Sequence, residues 1–235
     1  MPQAVKGGFA PLYLSAFLVA VSSAADPTPE PVTFDAFERT IPELQAAMAR
    51  DETTAEELVR QYLARIEAFD RHGPKLNTML YINPRAIEEA AALDRERAAG
   101  NIRGPLHGIP ILLKDNYDTH DMPTTAGAIA MAGFVPKGDA YQVRRLREAG
   151  AVFIGKTNLH EFARGIETIS SLGGQTLNPY DPERNPGGSS GGTAAAVAAN
   201  FAAVGMGSDT CGSIRIPAAN NNLFGLRVTQ GLSNV

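Results

Sequence analysis

A lysine closes the apolar run Ile109-Pro-Ile-Leu-Leu-Lys114, and two serines stand among the glycines of Pro186-Gly-Gly-Ser189-Ser190-Gly-Gly. A third serine, Ser213, ends the stretch Gly207-Ser-Asp-Thr-Cys-Gly-Ser213. Serine is a poor nucleophile until a base takes its proton. A lysine held in apolar surroundings loses its preference for the ammonium form, so its amine can be that base near neutral pH. Taken singly, each residue also has a plain reading. Lys114 could snorkel at a strand end or pair with Asp115, and the Gly/Ser stretch could be a linker. Ser213 could be a polar turn residue. The surroundings favour chemistry. Asn185-Pro186 precedes the Gly/Ser loop and an alanine-rich helix follows it, which places the loop at a helix N-terminus. Free N–H groups and the helix dipole favour negative charge there. The turn Asp209-Thr-Cys-Gly212 can aim successive N–H groups at one point, as an oxyanion hole requires.

Together, these motifs and the separations between Lys114, Ser189 and Ser213 resemble those of the amidase signature family, from about Thr53 to the end of the sequence. The resemblance implies an α/β fold: a mixed β-sheet sandwiched by helices, incomplete at the C-terminus. It implies that Ser213 is the acyl-accepting nucleophile, that Ser189 follows a cis peptide bond and relays the proton, and that Lys114 is the terminal base. Backbone N–H groups of Thr210, Cys211, Gly212 and Ser213 would form the oxyanion hole, and Ser190 would be structural. No metal or cofactor is implied. Position 211 departs from the family's commonest residue, glycine. The implied reaction is hydrolysis of a small-molecule or peptide carboxamide through an acyl-Ser213 intermediate. In such proteins roughly as much chain again follows the nucleophile. The alternative is therefore a catalytically inactive amidase fragment, or a scaffold needing a missing C-terminal portion or a partner, with an exposed sheet edge and apolar face.

Other pattern matches carry less. Gly150-Ala-Val-Phe-Ile-Gly155-Lys156-Thr157 fits the phosphate-loop expression, but its middle residues read as an apolar strand that cannot cradle a phosphate. The Gly-x-Ser-x-Gly matches across Gly187–Gly192 lack the preceding strand and downstream histidine of a nucleophile elbow. His72, His107, His120 and His160 show no metal-ligand spacing. Arg215 reads as a partner for nearby carboxylates. Cys211, the single cysteine, excludes an internal disulfide and reads as a small buried hydrophobe.

The elements that position these residues follow from apolar periodicity. Two helices are predicted between Thr40 and Phe69, with Thr40 or Thr54 able to cap, and a third over Pro84–Ala99 with Pro84 in its first turn. Buried strands are predicted at Ile109–Lys114, Ala151–Ile154 and Val204–Gly207, with helices at Tyr141–Ala149 and Thr193–Ala203. This alternation suits a largely parallel sheet. The 235 residues are 44% hydrophobic and 20% charged with a net charge of −4, which gives no reason to expect nucleic acid or acidic lipid as a partner. Residues 1–25 (Lys6, an apolar run, then Ser22-Ser-Ala-Ala25) read as a signal peptide and predict export to a periplasm or beyond, with no stable membrane association after cleavage. A proline-rich leader is expected over 26–39 and the amidase domain over 40–235.

Overall fold

The computed structural model describes residues 34–229, 231 and 232. The segment read as a signal peptide and the leader up to residue 33 lie outside the described residues. The last leader residues, 34–39, pack on the domain. Ala36 is fully buried, its carbonyl accepts a hydrogen bond from Tyr62 Oη at 3.1 Å, and the Phe37 ring meets that of Tyr62 edge-on.

Helix α1 (Ile41–Ala49) starts from a reciprocal capping box: the Thr40 hydroxyl accepts from Glu43 N, and the Glu43 carboxylate accepts from Thr40 N. Thr54 caps α2 (Ala55–Ile66), whose Leu58, Val59, Tyr62 and Ile66 form one buried face. A π-helical turn, Glu67–Arg71, follows. Strand β1 (Met79–Ile82) then leads to α3 (Ala86–Ala98). Arg85 occupies the N-cap of α3, so Pro84 lies just outside the helix rather than in its first turn.

Strand β2 (Pro110–Lys114) and strand β3 (Val152–Thr157), linked through helix α4 (Tyr141–Glu148), are buried at every position. A short hairpin of β4 (Ile169–Ser170) and β5 (Gly174–Gln175) precedes helix α5 (Gly191–Ala198). Strand β6 (Val204–Met206) and helix α6 (Arg215–Asn220) follow. The main sheet runs β1-β3-β2-β6, with β2 parallel to β3 and to β6, and β1 antiparallel to β3. Parallel strands covered on both faces read as continuous apolar runs, which is why β2 is legible in the sequence. Among the described residues β6 is an edge. Beside it lies an apolar groove lined by Val197, Ala203, Val204, Ile214, Leu223 and Phe224, and Phe224 is 93% exposed.

Two boundaries differ from expectation for physical reasons. Helix α5 stops at Ala198 because Asn200 adopts a left-handed conformation (φ 58°), a common way to end a helix. Strand β3 runs on past Ile154 to Thr157, because Gly155 lets β1 come close. A Cβ there would run into the Tyr81 carbonyl oxygen, well inside contact distance. Gly155 and Lys156 of the phosphate-loop pattern are thus strand residues. Gly155→Ala is expected to destabilise the domain by about 1–3 kcal/mol through this overpacking, read as a lower urea midpoint.

Candidate active site

Lys114 ends β2 with its side chain fully buried. Its Nζ lies 2.7 Å from Ser189 Oγ, 2.9 Å from Ser208 Oγ and 3.4 Å from the Ser208 carbonyl oxygen. Burial lowers its pKa from the ordinary lysine range to about 7, while the Asp209 carboxylate pulls the other way. Lys114 does not pair with Asp115. Asp115 bonds instead to Lys156, at 3.3 Å from its Nζ, and to the amide and hydroxyl of Thr125. Neighbouring residues along a strand face opposite sides of a sheet, so the two side chains enter different environments.

The Gly/Ser loop is no flexible linker. Every residue from Pro186 to Ala196 is buried, and the Gly188–Ser189 peptide bond is cis. Thr168 Oγ1 donates to the Gly187 carbonyl and accepts from Gly191 N, which ties both ends of the loop to one side chain. The loop enters α5 at Ser190. The stretch before the loop, 176–186, contains no strand, so the nucleophile-elbow reading finds no support.

Ser190 joins the two serine motifs. Its N–H donates to the Ser213 carbonyl at 3.1 Å, its hydroxyl donates to the Ser208 carbonyl at 3.2 Å, and its Oγ accepts from Ser208 N at 3.3 Å. Ser213 is half-buried just before α6. Among the described residues no hydrogen bond joins its hydroxyl to Ser189. The structure brings Lys114 and Ser189 into direct contact, and it holds the Ser213 segment against them through the backbone.

The loop from Asp209 to Ser213 is shaped by one carboxylate. Asp209 Oδ1 accepts from Gly212 N at 2.8 Å, and Oδ2 accepts from Ile214 N at 3.1 Å and Arg215 N at 3.3 Å. The Arg215 guanidinium contacts both oxygens, in keeping with its expected role as a carboxylate partner. Burial works against the Asp209 carboxylate, but Arg215 and these N–H groups outweigh it and hold its pKa well below the usual carboxylate range. Gly212 has φ 134°, a conformation that side chains resist. Of the N–H groups assigned to an oxyanion hole, that of Gly212 is engaged by Asp209, while Thr210 and Cys211 lie exposed at the tip of the turn and Ser213 is half-buried. Cys211 is therefore not the small buried hydrophobe that its residue type suggests.

Sequence reasoning misses Ser208, although it lies inside the stretch from Gly207 to Ser213, and Asn116, two residues past Lys114. Asn116 Nδ2 donates to Ser208 Oγ at 2.9 Å, and Tyr117 Oη donates to the Gly207 carbonyl at 2.7 Å. Elsewhere, His107 is fully buried and structural: its Nε2 lies 2.9 Å from the Leu93 carbonyl. The fold also brings His120, Asp121 and Asp139 within reach of one another, an arrangement that sequence spacing does not suggest. Their carboxylates are already met by Arg147, and that of Asp121 by Arg85 as well.

The sequence profile of the Amidase family matches residues 57–233. The chain belongs to the Amidase family. Among curated relatives it is 47% identical over 198 residues to the glutamyl-tRNA(Gln) amidotransferase A subunit of Acidothermus cellulolyticus, covering 84% of this chain and 39% of that protein. Among solved structures it is 53% identical to the native peptide amidase of Stenotrophomonas maltophilia, with a TM-score of 0.77, over 78% of this chain and 39% of that one. An amidase family protein from Bacillus anthracis is 41% identical with a TM-score of 0.74, over 77% of this chain and 37% of that one. These structural neighbours bear out the mixed α/β architecture. The chain spans about two fifths of the length of these relatives.

Proposed function

We propose that this chain carries the nucleophile and base of a carboxamide hydrolase. The observation that carries the reading is the buried contact of 2.7 Å between Lys114 Nζ and Ser189 Oγ, beside the segment that ends in Ser213. In the proposed reaction Ser213 Oγ attacks the amide carbonyl carbon. Ser189 accepts the Ser213 proton and passes its own to the Lys114 amine. The C–N bond then breaks as the proton returns to the leaving nitrogen, giving acyl-Ser213 and ammonia or an amine. Water attacks the acyl carbon by the same relay and releases the acid. Thr210, Cys211 and Gly212 are the proposed N–H donors to the oxyanion, with Gly212 turning from Asp209 to serve.

Identity of 53% to a peptide amidase favours a peptide amide as substrate. A second reading, a glutamine-hydrolysing component of a tRNA-dependent amidotransferase, rests on the 47% identity to one such protein. The export pattern read over 1–25 favours the first, because it would separate the chain from tRNA. The test is labelling of the purified chain with a fluorophosphonate. Ser213 is expected to be labelled, and Ser213→Ala to abolish it. Ammonia release from an amidated peptide against release from free glutamine separates the two readings. Turnover by residues 1–235 alone is expected to be weak, because the chain covers about two fifths of its relatives and the groove beside β6 is open. An unlabelled Ser213 in a folded chain would favour a scaffold that needs a partner.

A further inference from the structure

We propose that Ser208, held by Asn116 and Ser190, is the positioning residue that turns the Lys114 amine toward Ser189. The proposal rests on the amide-hydrolase reading for its functional meaning, but its geometry stands alone. A neutral lysine amine has two N–H donors and one lone pair. Among the described residues three oxygens stand around Lys114 Nζ within hydrogen-bond distance: Ser189 Oγ at 2.7 Å, Ser208 Oγ at 2.9 Å and the Ser208 carbonyl at 3.4 Å. The carbonyl can only accept. If both N–H groups go to Ser208, the lone pair is left facing the Ser189 hydroxyl, which is the orientation a base needs to receive that proton. Once protonated, the ammonium has three donors for the same three oxygens, so proton uptake requires no rearrangement.

Ser208 is itself built into place. Its Oγ takes a second hydrogen bond from Asn116 Nδ2 at 2.9 Å, which fills the second lone pair of that oxygen. Its backbone is clamped at both polar atoms by the Ser190 hydroxyl, N–H at 3.3 Å and carbonyl at 3.2 Å. This gives Ser190 a definite task, which is to fix the carbonyl and amide of Ser208. The charged group that faces Lys114 from the neighbouring loop is Asp209, itself neutralised by Arg215, with Arg227 3.9 Å away. The Asp115–Lys156 pair belongs to the adjoining strand positions and makes no hydrogen bond to Lys114.

The decisive variant is Ser208→Ala, with Ser208→Thr as the conservative rescue and Asn116→Ala as an exposed-side-chain variant that leaves the fold alone. Two measurements are made on each: the pH dependence of Ser213 labelling by a fluorophosphonate, and direct titration of Lys114 by NMR of ¹³Cε-labelled lysine. An oxygen acceptor stabilises the ammonium more than the amine, so losing Ser208 Oγ should move the Lys114 midpoint to lower pH. The plateau labelling rate should nevertheless fall by about 10–100-fold, because the lone pair is no longer aimed. Ser208→Thr should restore both, and Asn116→Ala should show a smaller version of each. A reduced plateau with an unmoved midpoint would make Ser208 merely structural and overturn the proposal. If the parent chain is not labelled at all, the hydrolase reading has failed. The NMR titration then still decides: equal Lys114 midpoints in parent and Ser208→Ala overturn the positioning role.

Discussion

Lys114→Met should lower the rate of Ser213 labelling by about 10²–10⁴-fold, the range associated with removal of a general base. Methionine keeps the unbranched shape that fills the space at the end of β2 but offers neither lone pair nor donor. The same residue sets the pH dependence. Burial brings the Lys114 pKa to about 7, and in the proposed reaction the active form is the neutral amine. Labelling in the parent should therefore rise as pH climbs toward 7 and level off above it, and Lys114→Met should remove that rise. Stability should respond in a higher window. The unfolded chain keeps its lysine proton up to the ordinary value of about 10.4. Between about 7 and that value the unfolded state thus binds more protons than the folded one, so stability from this group increases with pH across the window. Below pH 7 the full penalty of the buried ammonium is present. Lys114→Met removes it, and at pH 6 its urea midpoint should lie above that of the parent. A variant both inactive and less stable at pH 6 would mean that Lys114 holds the fold together rather than being held by it.

Most of this arrangement is legible in the sequence, and the parts that are not share a cause. The apolar run into Lys114 reads as a buried strand because both faces of β2 are covered. Thr40 and Thr54 announce α1 and α2 because their hydroxyls stand where a helix start leaves N–H groups unpaired. What escapes notice depends on contacts between distant segments. Strand β1 is only four residues long and mostly half-buried, so it carries neither a sustained apolar run nor a clean alternation. Its place is decided by Gly155, more than seventy positions later. Cys211 is bound for the interior by its chemistry, but the Asp209-centred turn carries it outward. Ser208 and Asn116 are in plain view as letters. Nothing local distinguishes a serine that accepts from a buried amine from one that faces water, and only the meeting of β2 with the end of β6 makes the difference.

The two lysines of neighbouring strands show how strongly such contacts decide fate, and the larger stability effect is predicted at the second. Lys156 is as buried as Lys114, and burial again lowers its pKa, but Asp115 stands 3.3 Å away and opposes the shift. Its Nζ also donates to the Tyr117 carbonyl and to Thr124 Oγ1, both at 2.8 Å, so it ties β3 to Asp115 just past β2 and to the loop between 117 and 126. Lys156→Met leaves the Asp115 carboxylate buried without its cation, which typically costs about 3–5 kcal/mol. The expected reading is a large fall in urea midpoint with little change in slope. Adding Asp115→Asn removes the stranded charge while keeping an acceptor for Thr125, so the double variant should recover much of the loss. An equal loss in the double variant would mean that the bonds to Tyr117 and Thr124, not the charge pair, hold this node. The Lys114 midpoint should stay near 7 in the double variant, because the pair makes no hydrogen bond to it. One lysine has a carboxylate at bonding distance that opposes the effect of burial, while the hydrogen-bond partners of the other are serines, the setting in which the proposed reaction needs it as a base.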